Sequence, residues 1–449
     1  MAKNKKTLDE LLQEAIVKDA PYEVPGNWVW SKLGILSKLI TGNTPSKKKS
    51  EYYGGNISFV KPNDLNQGRR LLKSSEYLSY EGAKSARIIP KGSTAVCCIG
   101  SIGKCAFLEI ECATNQQINS IIPNKIDNLY MYYYVLSDCF KNELISNSSS
   151  TTIAIINKSK MEQLRIPIAP LKEQERIVQK IECLFDKLDK AKELIEEVRE
   201  DFEKRKASIL EKAFTGELTE KWREENSTVN QSNMNKNLPY NWKMSKLIDT
   251  CEIIMGQSPK SQSYNDEGKG VPLINGPVEF GNSHFSKTIK SKWTTEPTKI
   301  CLKNDLLLCV RGSTLGRINI AGFDACIGRG VAAIRSKMYQ KYINYKIHSI
   351  RNKIYSIGTG TTFPNISRKQ IGELDIEFPP LEEQKEIVRI LDKLLDEENK
   401  IEKLTNLENQ IELTKKSILA KAFRGELGTN DPSEESAMEL LKEVLQEKL

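Results

Sequence analysis

Two stretches of the chain are nearly identical: KASILEKAFTGEL at residues 206–218 and KKSILAKAFRGEL at residues 415–427, with ten of 13 positions the same. Upstream, PLKEQERIV at residues 170–178 returns as PLEEQKEIV at residues 380–388, and the pair Asn27 and Trp28 returns as Asn241 and Trp242. The offsets are 209, 210 and 214 residues. Because the offset drifts slowly, one long unit has been used twice with small insertions and deletions.

Between the two motifs of each copy the sequence has the pattern of a long helix. Neither Gly nor Pro occurs between Gln174 and Ala213, and apolar residues recur there with heptad spacing at Ile177, Ile181, Leu184, Leu188, Ala191, Ile195, Val198, Phe202 and Ile209. The second copy is less regular, with Glu398 interrupting Ile387, Leu391, Leu394, Ile401, Leu404, Ile411 and Ile418. Sustained heptads predict that the two helices pair as an antiparallel coiled coil. Packing of each helix on its own neighbouring block, or a seam shared with a partner protein, stays open.

Helix boundaries and the segments between them define the organisation. Pro170 and Pro380 prevent an earlier helix start, while Gly216 and Gly425 are favourable stops. The intervening blocks are rich in short β-branched runs, Gly, Pro, Asn and Ser, and they predict strands at 57–60, 95–99, 118–122, 306–310 and 331–334 and single helices at 129–140 and 338–355. The predicted fold class is therefore mixed α/β: two α/β blocks separated by two long paired helices, with an internal pseudo-two-fold repeat.

The predicted segments follow from these boundaries. They are a helical lead-in (1–22), a first block (23–168), a central helical region (169–218), a polar linker (219–237), a second block (238–378), a C-terminal helical region (379–427) and a helical tail (428–449). The helix predicted near the end, at residues 437–445, is similar to the one at residues 8–16 that leads into Trp28. The tail thus resembles the start of another copy, which predicts a circular repeat with neighbouring chain ends.

Charge is concentrated in the two blocks. The whole chain has 67 Lys and Arg against 59 Asp and Glu, a net charge of +8. Residues 23–165 carry +7 and residues 238–376 carry +10, so the rest of the chain sums to −9. Two basic blocks at matching positions of a repeat indicate two surfaces for a polyanion such as double-stranded DNA.

The sequence contains few residue patterns that are typical of a catalytic or cofactor site. The two histidines, His284 and His348, fall in different predicted elements, and no Cys-x-x-Cys zinc spacing, dinucleotide-binding glycine pattern or adenine-methylase tetrapeptide occurs. The ten cysteines predict reduced thiols, and no apolar run of membrane-spanning length and no secretory signal is present. We therefore expect a cytoplasmic protein that binds no metal or cofactor of its own and catalyses no reaction.

What remains are polar loops that occur at matching positions in both blocks. The amides of Asn and Gln can contact adenine, arginine can contact guanine, and Lys, Ser and Thr can bind phosphates. The candidate DNA-binding residues of the first block are therefore Thr44, Ser46, Lys47, Lys48, Lys49, Lys61, Asn63, Ser101, Lys104, Asn115, Gln116, Gln117, Ser149 and Thr151. Those of the second block are Gln257, Ser258, Lys260, Asn275, Arg311, Ser313, Arg317, Arg329, Thr359, Thr361 and Thr362. The alignment sets Ile99 opposite Arg311 and Gln116 opposite Ile327. Similar scaffolds with different loop residues would recognise two different half-sites.

Taken together, these motifs resemble the specificity subunits of type I restriction-modification enzymes over about residues 22–427. The residues that carry the resemblance are PGNWVW at 25–30, the two PLxEQ helix starts and the two KAFxGEL helix ends. The resemblance implies two target recognition domains, each reading half of a split DNA site, and helical regions that set the gap and dock two modification subunits. It also implies that S-adenosylmethionine is used by those methyltransferase partners, and that ATP and Mg²⁺ are used by restriction subunits, of which two could join.

Two alternatives from other classes remain at this point. One is a self-contained or fused restriction-modification enzyme, against which the missing methylase tetrapeptide counts. The other is a coiled-coil adaptor that binds proteins rather than DNA. An adaptor gives no reason for concentrating positive charge on both blocks.

Overall fold

The computed structural model describes residues 7–66, 68–149, 154–226, 238–360 and 364–447, with side chains of residues 395–406 excepted. The chain forms two compact units. Unit 1 comprises residues 1–195 and 405–449, and unit 2 comprises residues 196–404. Each long helix is therefore divided between the units, rather than belonging to a separate helical domain.

The first part of the chain, up to residue 226, contains eight helices and eleven strands among its described residues. The helices are α1 (Leu8–Ala15), α2 (Leu33–Leu36), α3 (Tyr80–Lys84), α4 (Asn128–Leu136), α5 (Asp138–Ser146), α6 (Lys158–Glu162), α7 (Leu171–Thr215) and α8 (Glu220–Asn226). The strands are β1 (Val29–Lys32), β2 (Ser37–Thr41), β3 (Tyr53–Val60), β4 (Arg70–Leu71), β5 (Glu76–Leu78), β6 (Ile88–Ile89), β7 (Thr94–Cys97), β8 (Cys105–Leu108), β9 (Cys112–Thr114), β10 (Ile118–Pro123) and β11 (Arg165–Ile168).

The second part repeats most of this order of elements, but it has no counterpart of α3. The helices are α9 (Leu247–Thr250), α10 (Gln340–Ser349), α11 (Arg351–Ser356), α12 (Arg368–Gly372), α13 (Leu381–Ala422) and α14 (Ala437–Gln446). The strands are β12 (Lys243–Lys246), β13 (Cys251–Met255), β14 (Tyr264–Asn265), β15 (Val271–Ile274), β16 (Trp293–Thr294), β17 (Ile300–Cys301), β18 (Leu306–Cys309), β19 (Ile318–Ile320), β20 (Ala325–Ile327), β21 (Val331–Ser336) and β22 (Asp375–Phe378).

The sheets of the two blocks share a central strand order and differ at their edges. The strand order β2-β10-β7-β8 of the first block matches β13-β21-β18-β19 of the second, and β3-β9-β6 matches β15-β20-β17. In both blocks the first strand pairs with the last one, which leads into the long helix. These short antiparallel pairs are β1 with β11 and β12 with β22. The predicted mixed α/β fold with an internal repeat is confirmed.

The long helices have the ends that the sequence predicts. Helix α7 begins directly after Pro170 and α13 directly after Pro380, and Gly216 and Gly425 follow their ends with φ of 85° and 75°. A Cβ atom on Gly216 would lie 2.3 Å from Pro239 Cγ, and one on Gly425 would lie 2.3 Å from Pro25 Cγ. Only glycine fits there, because positive φ and close approach coincide. Each helix thus ends against the proline that opens a block of the same unit.

The heptad residues of α7 are buried to very different extents. Ile177, Ile181 and Phe202 are at most 7% exposed, whereas Val198 is 51% exposed. In unit 1, Phe185 of α7 belongs to one core with Leu419 and Ala422 of α13. In unit 2, Phe202 of α7 belongs to one core with Leu391 and Leu394 of α13. Within each unit the helices therefore pack both on a block and on one another.

Ion pairs fix the direction of the helix pairing in unit 1. Lys415 Nζ lies 2.5 Å from Asp189 Oδ1, and Lys192 Nζ lies 3.8 Å from Glu412 Oε1. Since the partner numbers fall as the α7 numbers rise, the helices are antiparallel there. Arg69 of the first block binds Asp189 and Asp186 of the same helix at 2.8 Å, so the block is tied to the pair.

The tail packs in unit 1, as the circular repeat predicts. Leu441 and Leu445 of α14 lie in the same core as Ala15 of α1 and Trp28. The Ala437 backbone N–H donates to the Asn27 carbonyl at 2.9 Å. The described ends of the chain are thus neighbours.

Two predictions about helical segments need revision. The single helices expected at 129–140 and 338–355 are each two helices, because Ser137 adopts an extended conformation between α4 and α5, and α10 ends before Ile350. The expected linker at 219–237 begins with α8, whose Arg223 pairs with Glu383. The rest of that segment, 227–237, lies outside the described residues.

Candidate nucleic-acid interface

The polar loops of the first block meet along one edge, which we call the loop edge. The turn at residues 114–117 lies at its centre. Three bonds join it to its neighbours: Asn43 N–H donates to the Thr114 carbonyl (2.9 Å), Asn115 N–H to the Val60 carbonyl (3.1 Å) and Cys98 N–H to the Gln117 carbonyl (2.7 Å). A fourth bond, from Gly100 N–H to the Ala154 carbonyl at 3.1 Å, adds the last loop.

The second block builds the same edge with the same four bonds. Gln257 N–H donates to the Ile327 carbonyl (2.9 Å), Gly328 N–H to the Ile274 carbonyl (2.8 Å), Val310 N–H to the Gly330 carbonyl (2.9 Å) and Gly312 N–H to the Pro364 carbonyl (2.8 Å). The sequence predicted that these five loops correspond. The structure adds that they converge on one surface in each block.

One glycine in each block makes the convergence possible. A Cβ atom on Gly42 would lie 2.2 Å from the Thr114 carbonyl oxygen, and one on Gly256 would lie 2.2 Å from the Gly328 carbonyl oxygen. A side chain would force the first loop away from the central turn at either place. These glycines therefore hold the two loops at backbone contact distance.

The backbone bonds also define which loop residues are equivalent. Thr114 takes the place of Ile327, and Gln117 takes the place of Gly330, so Gln116 corresponds to Arg329. The alignment of Gln116 with Ile327 was therefore wrong by two positions. It failed because the two turns share no residue identity, and only the bonds to neighbouring loops fix the register. Ile99 and Arg311 do correspond, as predicted, because the residues before them, Cys98 and Val310, donate their backbone N–H groups to the equivalent carbonyls of Gln117 and Gly330.

Several candidates of the first block are exposed on the loop edge or beside it. These are Thr44, Ser46, Lys47, Lys48, Lys49, Asn63, Ser101, Lys104, Gln116 and Ser149. The Thr44 hydroxyl donates to Gln116 Oε1 at 2.5 Å, and Lys49 Nζ donates to the Tyr52 hydroxyl at 3.0 Å.

Three other candidates of the first block are engaged by neighbours. Asn115 is 8% exposed, and its amide bonds both the backbone and the side chain of Gln117. Lys61 Nζ lies 2.5 Å from Glu76 Oε2. Asn115 and Gln117 thus shape the central turn, and Lys61 is neutralised by a carboxylate.

In the second block, four candidates line one cleft of about 810 Å³. They are Ser258, Asn275, Arg311 and Arg329, and the rest of the lining consists of Tyr264, Gly312, Gly330 and Asn365. None of these described lining residues carries an acidic side chain. The same loops also expose Gln257, Lys260, Ser313 and Thr359. Arg317 is half-buried, and its guanidinium contacts the Phe280 ring and the Gly281 carbonyl. Thr151, Thr361 and Thr362 lie outside the described residues.

Sequence reasoning missed Tyr264 and Asn365 in this cleft. The Tyr264 hydroxyl donates to the Pro259 carbonyl at 3.2 Å, and Tyr53 makes the matching bond to Pro45 in the first block at 2.7 Å. Asn365 forms backbone bridges with both Arg311 and Thr359. The recurrence of Tyr in the two copies was the available signal for Tyr264.

A second missed feature holds each block on its long helix. The Trp28 indole N–H donates to the buried Glu173 carboxylate at 2.7 Å, and the Trp242 indole N–H donates to the buried Glu383 carboxylate at 3.0 Å. Thr429 and Thr219 donate to the other oxygen of the same two carboxylates, at 3.4 and 2.7 Å. The repeated Trp and Glu motifs therefore meet inside each unit.

The histidines, which the sequence separates, are neighbours in unit 2. Their ring centroids are 4.9 Å apart, and Arg351 Nη1 contacts His284 Nε2. Burial, together with nearby His284, Arg351 and Lys206, lowers the pKa of His348 to about 3, so its ring is neutral at physiological pH. In the described part of the chain no group of three or more His, Cys, Asp or Glu residues could hold a metal ion.

Most of the thiols are buried, as the sequence suggests. Eight of the ten cysteines are buried, whereas Cys139 is half-buried and Cys183 is exposed. Burial raises the pKa of Cys98, Cys105 and Cys112 to about 12, so these thiols stay protonated at neutral pH. Over the described ranges, none of the helices has the length and apolar character needed to cross a bilayer.

Comparison with known proteins connects this geometry to a family. The sequence matches the type I restriction modification DNA specificity domain twice, over residues 25–200 and 239–413. It is 26% identical over 442 residues to the type I restriction enzyme StySPI specificity subunit of Salmonella potsdam, and 25% identical over 440 residues to the EcoKI specificity subunit of Escherichia coli K12, with 90% of each chain covered in both cases.

A solved structure agrees with both matches. A chain from a study of complex assembly and conformational transition of the type I R-M system superposes with a TM-score of 0.75 at 26% identity, over 91% of this chain and 100% of that one. The two family matches span each block and most of the long helix that follows it. The chain therefore belongs to the DNA specificity subunits of type I restriction-modification systems, the non-catalytic DNA-recognition components of these enzymes.

Proposed function

We propose that each block reads one half of a bipartite DNA target. The observation that carries this is the loop edge, which both blocks build with the same four backbone bonds but present with different side chains. A shared backbone scaffold that carries different loop side chains suits two half-sites of different sequence. Exposed Lys47, Lys48 and Lys260 supply phosphate contacts, while Gln116 and the arginines of the cleft supply base contacts.

We propose further that the two long helices set the spacing between the half-sites. Helix α7 has 45 residues, which corresponds to about 68 Å at ~1.5 Å per residue. Both long helices contribute to both units, and neither contains Gly or Pro. A continuous helical pair resists bending, so it suits a fixed spacer. On this proposal residues 23–168 and 238–378 are the recognition domains and 169–218 and 379–427 the spacer regions.

The partners follow from the repeat. Each unit is built around the same buried Trp and Glu junction, and a framework repeated in this way suits two identical partners. We propose that these are two modification subunits, adenine methyltransferases that bind S-adenosylmethionine. Two restriction subunits that use ATP and Mg²⁺ would join the same assembly in a system that also cleaves DNA.

Co-expression of the full chain with its modification subunit tests this proposal. Light scattering of the purified complex should give two modification subunits per chain, and methylome sequencing of the cells should give one bipartite motif with methylated adenine on both strands. Gln116→Ala should leave the mass of the complex unchanged and relax the motif in one half only.

Three other outcomes would contradict parts of the proposal. A stable complex without any bipartite motif would favour a protein-binding adaptor. Adenine methylation by the chain alone would favour a self-contained enzyme. Relaxation of both halves in Gln116→Ala would contradict the assignment of one half-site to each block.

A further inference from the structure

Two arginines of the cleft stand apart from every other arginine of the chain. Of the sixteen arginines, fourteen have a side-chain partner: a carboxylate, a carbonyl, an aromatic ring or a neighbouring polar group. Arg311 and Arg329 have no side-chain partner among the residues that the structure describes. Both are exposed and both line the same cleft. Guanidinium groups left unpaired on a fixed backbone are available to an external ligand.

The backbone on which these two side chains stand is held on both sides. Val310 N–H and Gly312 N–H bond to neighbouring loops at 2.9 and 2.8 Å, so the peptide units flanking Arg311 are anchored. Arg329 N–H donates to the Ser258 hydroxyl at 3.1 Å. Anchoring reduces the conformational entropy that the site loses when it binds. The cleft therefore presents both arginine side chains from backbone positions that are already fixed.

The chemistry of the rest of the cleft suits an edge of a base. Its other polar side chains are the hydroxyls and amides of Ser258, Tyr264, Asn275 and Asn365. Over the part of the lining that the structure describes, no carboxylate competes for the arginines. A guanidinium fork matches the O6 and N7 acceptors of guanine, which is the commonest specific contact of arginine in the major groove. A phosphate contact would need only a lysine, and the neighbouring loop already carries exposed Lys260 for that purpose.

The first block lacks both guanidinium groups. Its equivalents of Arg311 and Arg329 are Ile99 and Gln116. The Gln116 side-chain carbonyl accepts a hydrogen bond from the Thr44 hydroxyl, whereas Ser258, the residue equivalent to Thr44, accepts from the Arg329 backbone N–H and not from its guanidinium. An amide matches the N6 and N7 groups of adenine, and an aliphatic side chain makes no hydrogen bond to a base. The two loop edges therefore differ in the guanidinium groups that can contact guanine through a two-pronged fork.

We propose that the second block reads a half-site containing guanine, contacted by Arg311 and Arg329, and that the first block reads its half-site without an arginine contact, with Gln116 on adenine. This rests on the proposed bipartite reading. It adds the base class that each edge selects.

Selection from randomised duplexes by the complex of the full chain with its modification subunit tests the inference. The selected motif should contain guanine in the half that relaxes when Arg311→Ala or Arg329→Ala replaces the wild type. Replacing that guanine by 7-deazaguanine, which lacks N7 but still pairs with cytosine, should weaken wild-type binding by about 5- to 150-fold. The same replacement should not weaken binding by the variant whose arginine contacted that guanine.

Lys260→Ala is the matched control, because it removes an exposed charge from the same edge. It should lower affinity for all duplexes alike and keep the full sensitivity to 7-deazaguanine. A bipartite motif whose arginine-dependent half lacks guanine would overturn this inference and leave the proposed function standing. Failure to enrich any bipartite motif would overturn the proposed function, and this inference with it.

Discussion

At the scale of single residues, His348 shows how the two copies diverge at one position. The matching bonds of Tyr130 to the Pro167 carbonyl and Tyr342 to the Glu377 carbonyl align α4 with α10, so His348 stands where the first copy has Leu136. His348 is 6% exposed. A titratable ring has thus replaced an apolar side chain, and it folds in its neutral form because its pKa is near 3.

We therefore expect His348→Leu to reduce the acid sensitivity of the protein. An unfolded His binds a proton below about pH 6.5, whereas the folded ring stays neutral down to about pH 3. Between these values the unfolded state binds more protons, so stability falls as pH falls, by up to about 1.4 kcal/mol per pH unit. Denaturant unfolding at pH 7.5 and 5.5 should show a smaller difference for the variant than for the wild type.

The first copy offers the reciprocal control. Leu136→His should introduce a weaker dependence of the same sign, since Leu136 is half-buried. An unchanged pH dependence in His348→Leu would mean that the folded ring accepts a proton near its ordinary pKa.

At the scale of elements, the long helices are stabilised unevenly along their heptad pattern. The heptad residue Phe202 of α7 is 7% exposed and Phe185, next to the heptad residue Leu184, is 2% exposed, whereas the heptad residue Val198 between them is 51% exposed. Near the two phenylalanines a helix packs on a block as well as on the other helix. Heptad spacing identifies which residues face the partner helix, but it does not reveal how completely that partner covers them.

Substitutions along α7 should reproduce this difference. Phe202→Ala removes a buried ring and should cost about 3–5 kcal/mol of unfolding free energy. Val198→Ala occupies a heptad position of the same helix and should cost less than about 1 kcal/mol, since half of the side chain already contacts water. Denaturant unfolding measures both. Equal losses would show that the heptad seam stabilises the helix uniformly.

At the scale of the whole molecule, the tail completes in unit 1 a junction that residues 217–226 complete in unit 2. Arg176 of α7 makes a bidentate pair with Glu434 at 2.7 and 2.8 Å and donates to the Thr429 carbonyl, and Asn430 donates to Glu173 at 2.9 Å. In unit 2 the corresponding carboxylate, Glu383, is held by Thr219 and Arg223. A segment in the middle of the chain and the C-terminal tail thus perform the same structural task.

Removal of residues 428–449 should therefore weaken unit 1 selectively. Helix α1 and strand β1 lose the packing of α14 and the bonds of Asn430, so hydrogen exchange of residues 8–15 and 29–32 should accelerate. Residues 243–255 of unit 2 provide the internal reference and should keep their protection. Arg176→Ala, which removes the pair with Glu434 of the tail, should accelerate exchange in the same residues of unit 1. Arg389→Ala is its control and should not, because it removes only a pair with Glu386 within α13. Equal acceleration in both units would contradict a local role for the tail.

Much of the candidate site could be predicted, but its internal register could not. The five loops were identified by their position in the repeat, and four of the second-block candidates do share one cleft. The roles of Asn115 and Lys61 could not be foreseen, because their partners Gln117 and Glu76 become neighbours only through the fold of the turn and the pairing of β3 with β5.

The sequence by itself determined the duplication, the two long helices with their proline starts and glycine ends, and the mixed α/β blocks. The helices and strands follow from periodicity and backbone preferences of residues close along the chain. The duplication is visible directly as repeated sequence. Only the tertiary structure decided that Gln116 corresponds to Arg329, that Arg311 and Arg329 alone among the arginines lack a described partner, and that Trp28 meets Glu173. Those relations depend on contacts between residues far apart in sequence, which packing creates and local pattern does not encode.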